Sequence, residues 1–173
     1  EDGGLAIYGL ILFITLCVMV ALSMDVANAY KVRSEMQVAA DTAAHTALLN
    51  RMRDGKDLAI SKAVTVASNN LSTSDAGPTT ITSSDIKFGR WDDAARIFTV
   101  DPNSTTAVMV TARRSTERGN GVDTFLLSLV GLASWTVTTQ SVVETYRPPC
   151  LREGFVAEEM VEIQSNNGFE NGF

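Results

Sequence analysis

Few residues in this chain have the types and spacing that chemistry requires. His45 is the only histidine. It falls between Ala44 and Thr46 in a helically patterned stretch, with no cysteine or second histidine at metal-ligand spacing. It reads as a packing or surface residue. Asp92-Asp93 and Asp101 form the densest carboxylate group. A hard cation such as Ca²⁺ wants several oxygen ligands. The spacing matches no EF-hand loop, however, and two solvated turns account for these residues. Gly119-Asn120-Gly121 is a turn and lacks the pattern of a phosphate-binding loop. Cys17 lies within an apolar run and has no means of pairing with Cys150, which follows Pro148-Pro149. Cys150 is either a plain thiol or half of a bridge to a partner elsewhere. With no nucleophile–base pair, metal cluster or cofactor loop, the chain reads as non-enzymatic, with no cofactor.

The remaining carboxylate of interest is Asp25, and its interest comes from its position. It ends the run LAIYGLILFITLCVMVALSM, Leu5 to Met24, twenty residues without a charged side chain. A hydrocarbon layer of about 30 Å takes roughly 20 apolar helical residues to cross. A lone span must be a helix, because its backbone groups have no other partners in lipid. A secretory signal has a shorter apolar region, about 7–15 residues. The stretch SMDVANA keeps that alternative open, since it offers Ala27 and Ala29 at a cleavage-like spacing. The length favours a single-pass anchor, residues 1–24, with membrane lipid as its partner. Tyr8, Asp25 and Tyr30 then mark the membrane boundaries, the two tyrosines as interfacial aromatics.

The other 150 or so residues suit one domain with a short extension. The net charge of −6 argues against nucleic acid, which calls for a basic footprint. The chain begins at Glu1 and stops at Phe173 in mid-pattern, so it is expected to be part of a longer product. On the visible flanks Glu1 and Asp2 precede the span, and Lys31 and Arg33 follow it. Taken alone, these charges put the C-terminal side in the cytoplasm.

The helical pattern continues beyond the span. No Pro or Gly occurs from Asp25 to Arg53. Ala29, Val32, Met36, Ala39, Ala40, Ala43, Ala47 and Leu48 recur at steps of three and four, which draws one stripe. One helix of about 49 residues follows, roughly 73 Å long, ended by Gly55. Its stripe is rich in small residues, which let helices approach closely. Ala29, Met36, Ala39, Ala40, Ala43 and Ala47 are therefore a helix-packing interface. The chain's own domain is the nearer partner for it, and a foreign transmembrane or pilin-like helix the alternative.

Lys56 to Asn70 is a second helix, joined by a short connection and so antiparallel to the first. The period then falls to two. Thr80–Phe88, Arg96–Val100, Ala107–Arg114 and Ser134–Glu144 are expected strands of an antiparallel sheet with one wet face. Between the last two, DTFLLSLVGL (Asp123 to Leu132) is expected to be a short apolar helix packed across the sheet, a re-entrant membrane contact being the rarer option. Residues 25–147 make one α+β domain. Residues 148–173, acidic and Asn/Gly-rich with the pair NNGF and ENGF, are a linker or the start of a second module.

The first fifty residues resemble the N-terminal region of TadE/TadG-like proteins of tight-adherence (Flp) pilus systems. The matching features are Gly3 or Gly4 before the span, Asp25 after it, Tyr30, Arg33, Gln37, and Ala39-Ala40-Asp41 with Ala43-Ala44. Gly89, Trp91 and Asp92 resemble the family's Gly-x-Trp-Asp strand pair. The resemblance implies an N-terminus in the cytoplasm and a periplasmic domain, opposite to the visible flanking charges, and the resemblance is followed. Some relatives are cut after a Gly with a Glu five residues on. LAIYG after Gly4 has no such Glu, so a permanently anchored protein is expected. The function implied is pilus assembly or anchoring in the bacterial inner membrane through helix–helix packing. The alternative is a single-span accessory subunit of another membrane complex.

Overall fold

In the computed structural model, residues 2–71 and 80–145 are described. The first helix, α1, runs without a break from Asp2 to Asp54, 53 residues. Arg51 and Arg53 lie in its last turn, where cations offset the partial negative charge of the helix end. Gly55 then takes φ +86° and ψ 178°, a conformation open only to glycine, and the chain reverses there. Helix α2 follows at once, Lys56–Asn70. Lys62 reaches back to Asp54 at 2.6 Å and to Asn50 at 2.9 Å, which closes the hairpin.

The hairpin packs through small side chains. Ala39, Ala40, Ala43, Ala44 and Ala47 of α1 and Ala59 and Ala63 of α2 are all fully buried. Small side chains of this kind let two helix backbones approach closely.

The sheet covers the other side of the buried half of α1. Its strands are β1 (Ile86–Asp92), β2 (Ile97–Val100), β3 (Ala107–Arg114) and β6 (Val137–Glu144), with order β2-β1-β3-β6. Every pairing is antiparallel. Two short strands, β4 (Val122–Asp123) and β5 (Ser134–Trp135), pair separately. Phe88, Val108, Val110 and Ala112 face inward and share one core with Met36 and the alanines of α1. Period-two alternation puts Met109, Thr111 and Arg113 on the opposite face of β3. Arg51 seals the far end of the core. Its guanidinium lies 5.1 Å above the Phe88 ring and donates to the Pro102 carbonyl at 3.2 Å.

This is the expected α+β architecture: a long N-terminal helix, a second helix and a four-stranded antiparallel sheet. Three local expectations need correction. Thr80 to Asp85 is a turn, and the strand begins at Ile86. Thr82 and Asp85 form a reciprocal capping box around the 3₁₀ turn Ser83–Asp85. Ser134 and Trp135 belong to the separate β4–β5 pair and lie outside the main sheet. The stretch 123–132 is not an α-helix. It forms a loop with one 3₁₀ turn, Leu127–Val130, and its Phe125, Leu126, Leu127 and Leu132 lie outside the buried core. The tail 148–173, with Cys150 and the NNGF and ENGF units, lies outside the described residues.

Candidate functional site

The two halves of α1 differ sharply in what surrounds them. It contains an 18-residue window of mean hydropathy 2.7, none of which is buried inside the protein. The helix is thus long and apolar enough to cross a membrane. Its second half is core. The change comes at Ala21 and Asp25, the first residues of α1 that the domain covers. From there the covered face continues through Val32, Met36, Ala40, Ala43 and Ala47.

Asp25 is 4% exposed, and a buried carboxylate needs partners. It has three, all backbone N–H groups about a hundred residues away. Phe125 donates to Oδ1 at 2.6 Å, and Leu126 and Leu127 donate to Oδ2 at 3.1 and 2.9 Å. These are the N–H groups left over at the start of the Leu127–Val130 turn, which has no cap of its own. A side chain of the long helix thus caps a turn of the domain. The Phe125 N–H, followed by that of Leu127, holds the Asp25 carboxyl below the ordinary carboxylate range. Burial pushes the other way, and the Leu126 N–H adds to the lowering.

The capped loop presents apolar side chains. Phe125 and Leu132 are 75% and 55% exposed. Leu126 and Leu127 turn toward α1 and line an apolar crevice with Ile14, Cys17, Val18 and Ala21. The loop therefore lies alongside the last turns of the apolar half.

The other residues singled out in the sequence fall as follows. Tyr8 and Tyr30 are both exposed, and 22 residues of helix separate them by about 33 Å. Met36, Ala39, Ala40, Ala43 and Ala47 are buried within the chain's own core, and Ala29 is half-buried. His45 is exposed on α1. Asp92 accepts from the Ala94 and Ala95 N–H groups, both at 2.9 Å. Asp93 accepts from the Trp91 indole N–H at 2.9 Å, and Asp101 pairs with Arg90 at 3.2 Å. All three carboxylates thus serve their own hairpins. Among the described residues no group of three or more His, Cys, Asp or Glu could hold a metal.

Sequence reasoning placed Asp25 at a boundary but missed what it holds. Its partners are main-chain groups, and no residue type announces them. The available signal was the apolar run at 125–132, set within an otherwise polar, strand-patterned region.

Residues 3–52 match the protein family described as "Putative Flp pilus-assembly TadE/G-like". The matched stretch is nearly the whole of α1, including Asp25 and the small-residue stripe. No curated protein and no solved structure matches the chain significantly.

Proposed function

We propose that this TadE/TadG-like chain is a single-pass inner-membrane protein that assists assembly or anchoring of a pilus without performing catalysis. Residues 1–24 form the anchor, residues 25–147 the periplasmic domain and residues 148–173 a linker or a further module. One observation carries the reading: a single unbroken helix is apolar and bare in one half and buried under its own domain in the other. A soluble core helix buries its apolar residues, and α1 leaves them bare from Leu5 to Leu16. A cleaved signal is a poor description too. A cut at Ala27 or Ala29 would remove Asp25, whose carboxylate caps the 125–127 turn.

The spacing of Tyr8 and Tyr30 fits a layer of about 30 Å with an aromatic near each surface. The domain uses most of the small-residue stripe for itself. Contact with other transmembrane or pilin-like helices therefore falls to the bare half of α1 and to Ala29 at the edge of the stripe. The family supplies the pilus system, and the geometry supports a membrane-held domain whose surface is free to meet it.

The test is extraction of the full-length protein from its native membrane in mild detergent. Co-purification with the pilin or with other membrane components of the pilus machine, and loss of pili on deletion, is the expected result. Release of the intact protein by alkaline carbonate would overturn the anchor. A stoichiometric complex with an unrelated membrane assembly, with pili intact, would overturn the pilus role and favour an accessory subunit.

A further inference from the structure

The loop from Thr124 to Ala133 sits on the wrong side of the expected water boundary. Leu126 and Leu127 share a crevice with Phe13, Ile14, Cys17, Val18 and Ala21. Those helix residues precede Asp25 by about 6 to 18 Å along the axis. A water-exposed loop at that level would put residues 13–24 outside the hydrocarbon. Only Leu5 to Leu12 would then remain to cross it, about 12 Å of helix against the roughly 30 Å required. The anchor is long enough only if the residues beside the loop are themselves in lipid.

We infer that the 124–133 loop dips into the periplasmic leaflet beside α1, with Phe125 and Leu132 packed among lipid acyl chains. This rests on the anchor reading of α1.

Such a position requires polar backbone groups to be satisfied within the protein, and the described bonds satisfy many of those in the loop. The Phe125, Leu126 and Leu127 N–H groups go to Asp25. Thr124 N–H donates to the Ala133 carbonyl at 3.1 Å, and the Thr124 hydroxyl to the Leu132 carbonyl. Leu132 N–H donates to the Leu127 carbonyl at 3.0 Å, and Gly131 N–H to that of Ser128 at 3.1 Å. The Ser128 hydroxyl donates to the Phe125 carbonyl at 2.9 Å. Gly131 makes the closing turn at φ +89°, a conformation that costs a side chain-bearing residue energy. Phe125 and Leu132 are the large apolar side chains that the described part of the loop exposes, and Leu126 and Leu127 continue into the apolar crevice along α1. An interfacial element of this kind buries its apolar face some 5–10 Å into the headgroup–acyl boundary, which is the level of Ala21 and Val18. In this arrangement Asp25 is the residue that holds a non-helical segment in shape where water is scarce.

The test uses the full chain in phosphatidylethanolamine/phosphatidylglycerol vesicles containing lipids with a nitroxide near the head of the acyl chain. A single cysteine is placed at Phe125→Cys in a Cys17→Ser, Cys150→Ser background and labelled with an environment-sensitive fluorophore. Phe125 is mostly exposed, so the change leaves the core untouched. Met19→Cys, 63% exposed and outside the crevice, reports the span at the depth of the nitroxide, and Ile97→Cys, 58% exposed on the sheet edge, reports water. The expected result is blue-shifted emission at position 125 with lipid quenching within about twofold of position 19, and none at position 97. Water-like, unquenched emission at 125 with quenching at 19 would overturn the loop insertion and leave the anchor standing. Blue-shifted emission at 125 without lipid quenching would overturn it in favour of a protein partner. Absence of quenching at both 125 and 19 would overturn the anchor and the inserted loop together.

Discussion

Arg118 and Asp85 meet in a two-point ion pair, Nη1 to Oδ2 at 2.9 Å and Nη2 to Oδ1 at 2.7 Å. Their side chains are only 23% and 10% exposed. Paired donors on a planar guanidinium fix both angle and distance. The pair joins two 3₁₀ turns, Ser83–Asp85 and Thr116–Arg118, which lie 33 residues apart. It thereby pins the loops at one end of the sheet.

The pair makes stability depend on pH. Burial pushes the Asp85 carboxyl up, but hydrogen bonds from Arg118 and Thr82 outweigh it and hold the group below the ordinary range. A carboxyl lowered on folding stabilises the fold fully above its unfolded value, about 3.9. That contribution is lost as pH falls through the lower folded value. Asp85→Asn should cost about 2 kcal/mol at neutral pH. The gap to the parent should narrow in acid. Urea unfolding of the full chain in detergent at neutral and acid pH measures both, and a gap that stays constant would refute the ion-pair account.

Asp25→Asn keeps the size of the side chain but removes the charge and one of the two acceptor oxygens. Phe125, Leu126 and Leu127 N–H groups then compete for a single carbonyl. Hydrogen exchange at 125–127 should speed up by a large factor, while exchange in β3 and β6 should hardly change. The lowered carboxyl predicts that the parent keeps these amides protected until the pH is below the usual carboxylate range. Equal protection in parent and variant would show that the turn stands without Asp25.

Ala43→Leu and Ala47→Leu insert bulk where both positions have no exposure at all. Overpacking of this kind costs about 1–3 kcal/mol. Leu49→Ala, at a residue 68% exposed on the same helix, serves as the control and should change stability by less than about 0.5 kcal/mol. Unchanged melting of both alanine variants would mean that this face of α1 is not closely packed in the core.

Gly89 faces the Phe98 ring and the Thr99 carbonyl across the β1–β2 pair. A Cβ there would collide with both. Gly89→Ala should destabilise the hairpin by about 1–3 kcal/mol and disturb Trp91, whose indole N–H bonds Asp93 in the same hairpin. A shift in Trp91 fluorescence together with a lowered melting temperature is the expected outcome, and a variant as stable as the parent would contradict the close approach.

Much of the scaffold was legible because the code there is local. The absence of Pro and Gly from Asp25 to Arg53, and Gly55 just after, announced one long helix and its end. The alternation of Val108, Val110 and Ala112 announced β3. Apolar composition alone failed at 123–132, because a short greasy run has no period that separates a helix from a loop. Thr82 to Asp85 carries a capping pattern, Thr-Ser-Ser-Asp, which the adjoining strand-like alternation masks. The partners of Asp25 lie beyond any local reading, since the carboxylate meets main-chain atoms a hundred positions downstream.

The unbroken run of α1 through Asp25 has a mechanical consequence. Spanning helices lean by about 20° on average and change their lean with bilayer thickness. From Met24 the helix reaches a further 45 Å or so to Asp54. With no joint to absorb the motion, such a lean carries the distal end sideways by about 15 Å. On the anchor reading of α1, the domain is a lever arm whose aim is set by the local thickness of the bilayer.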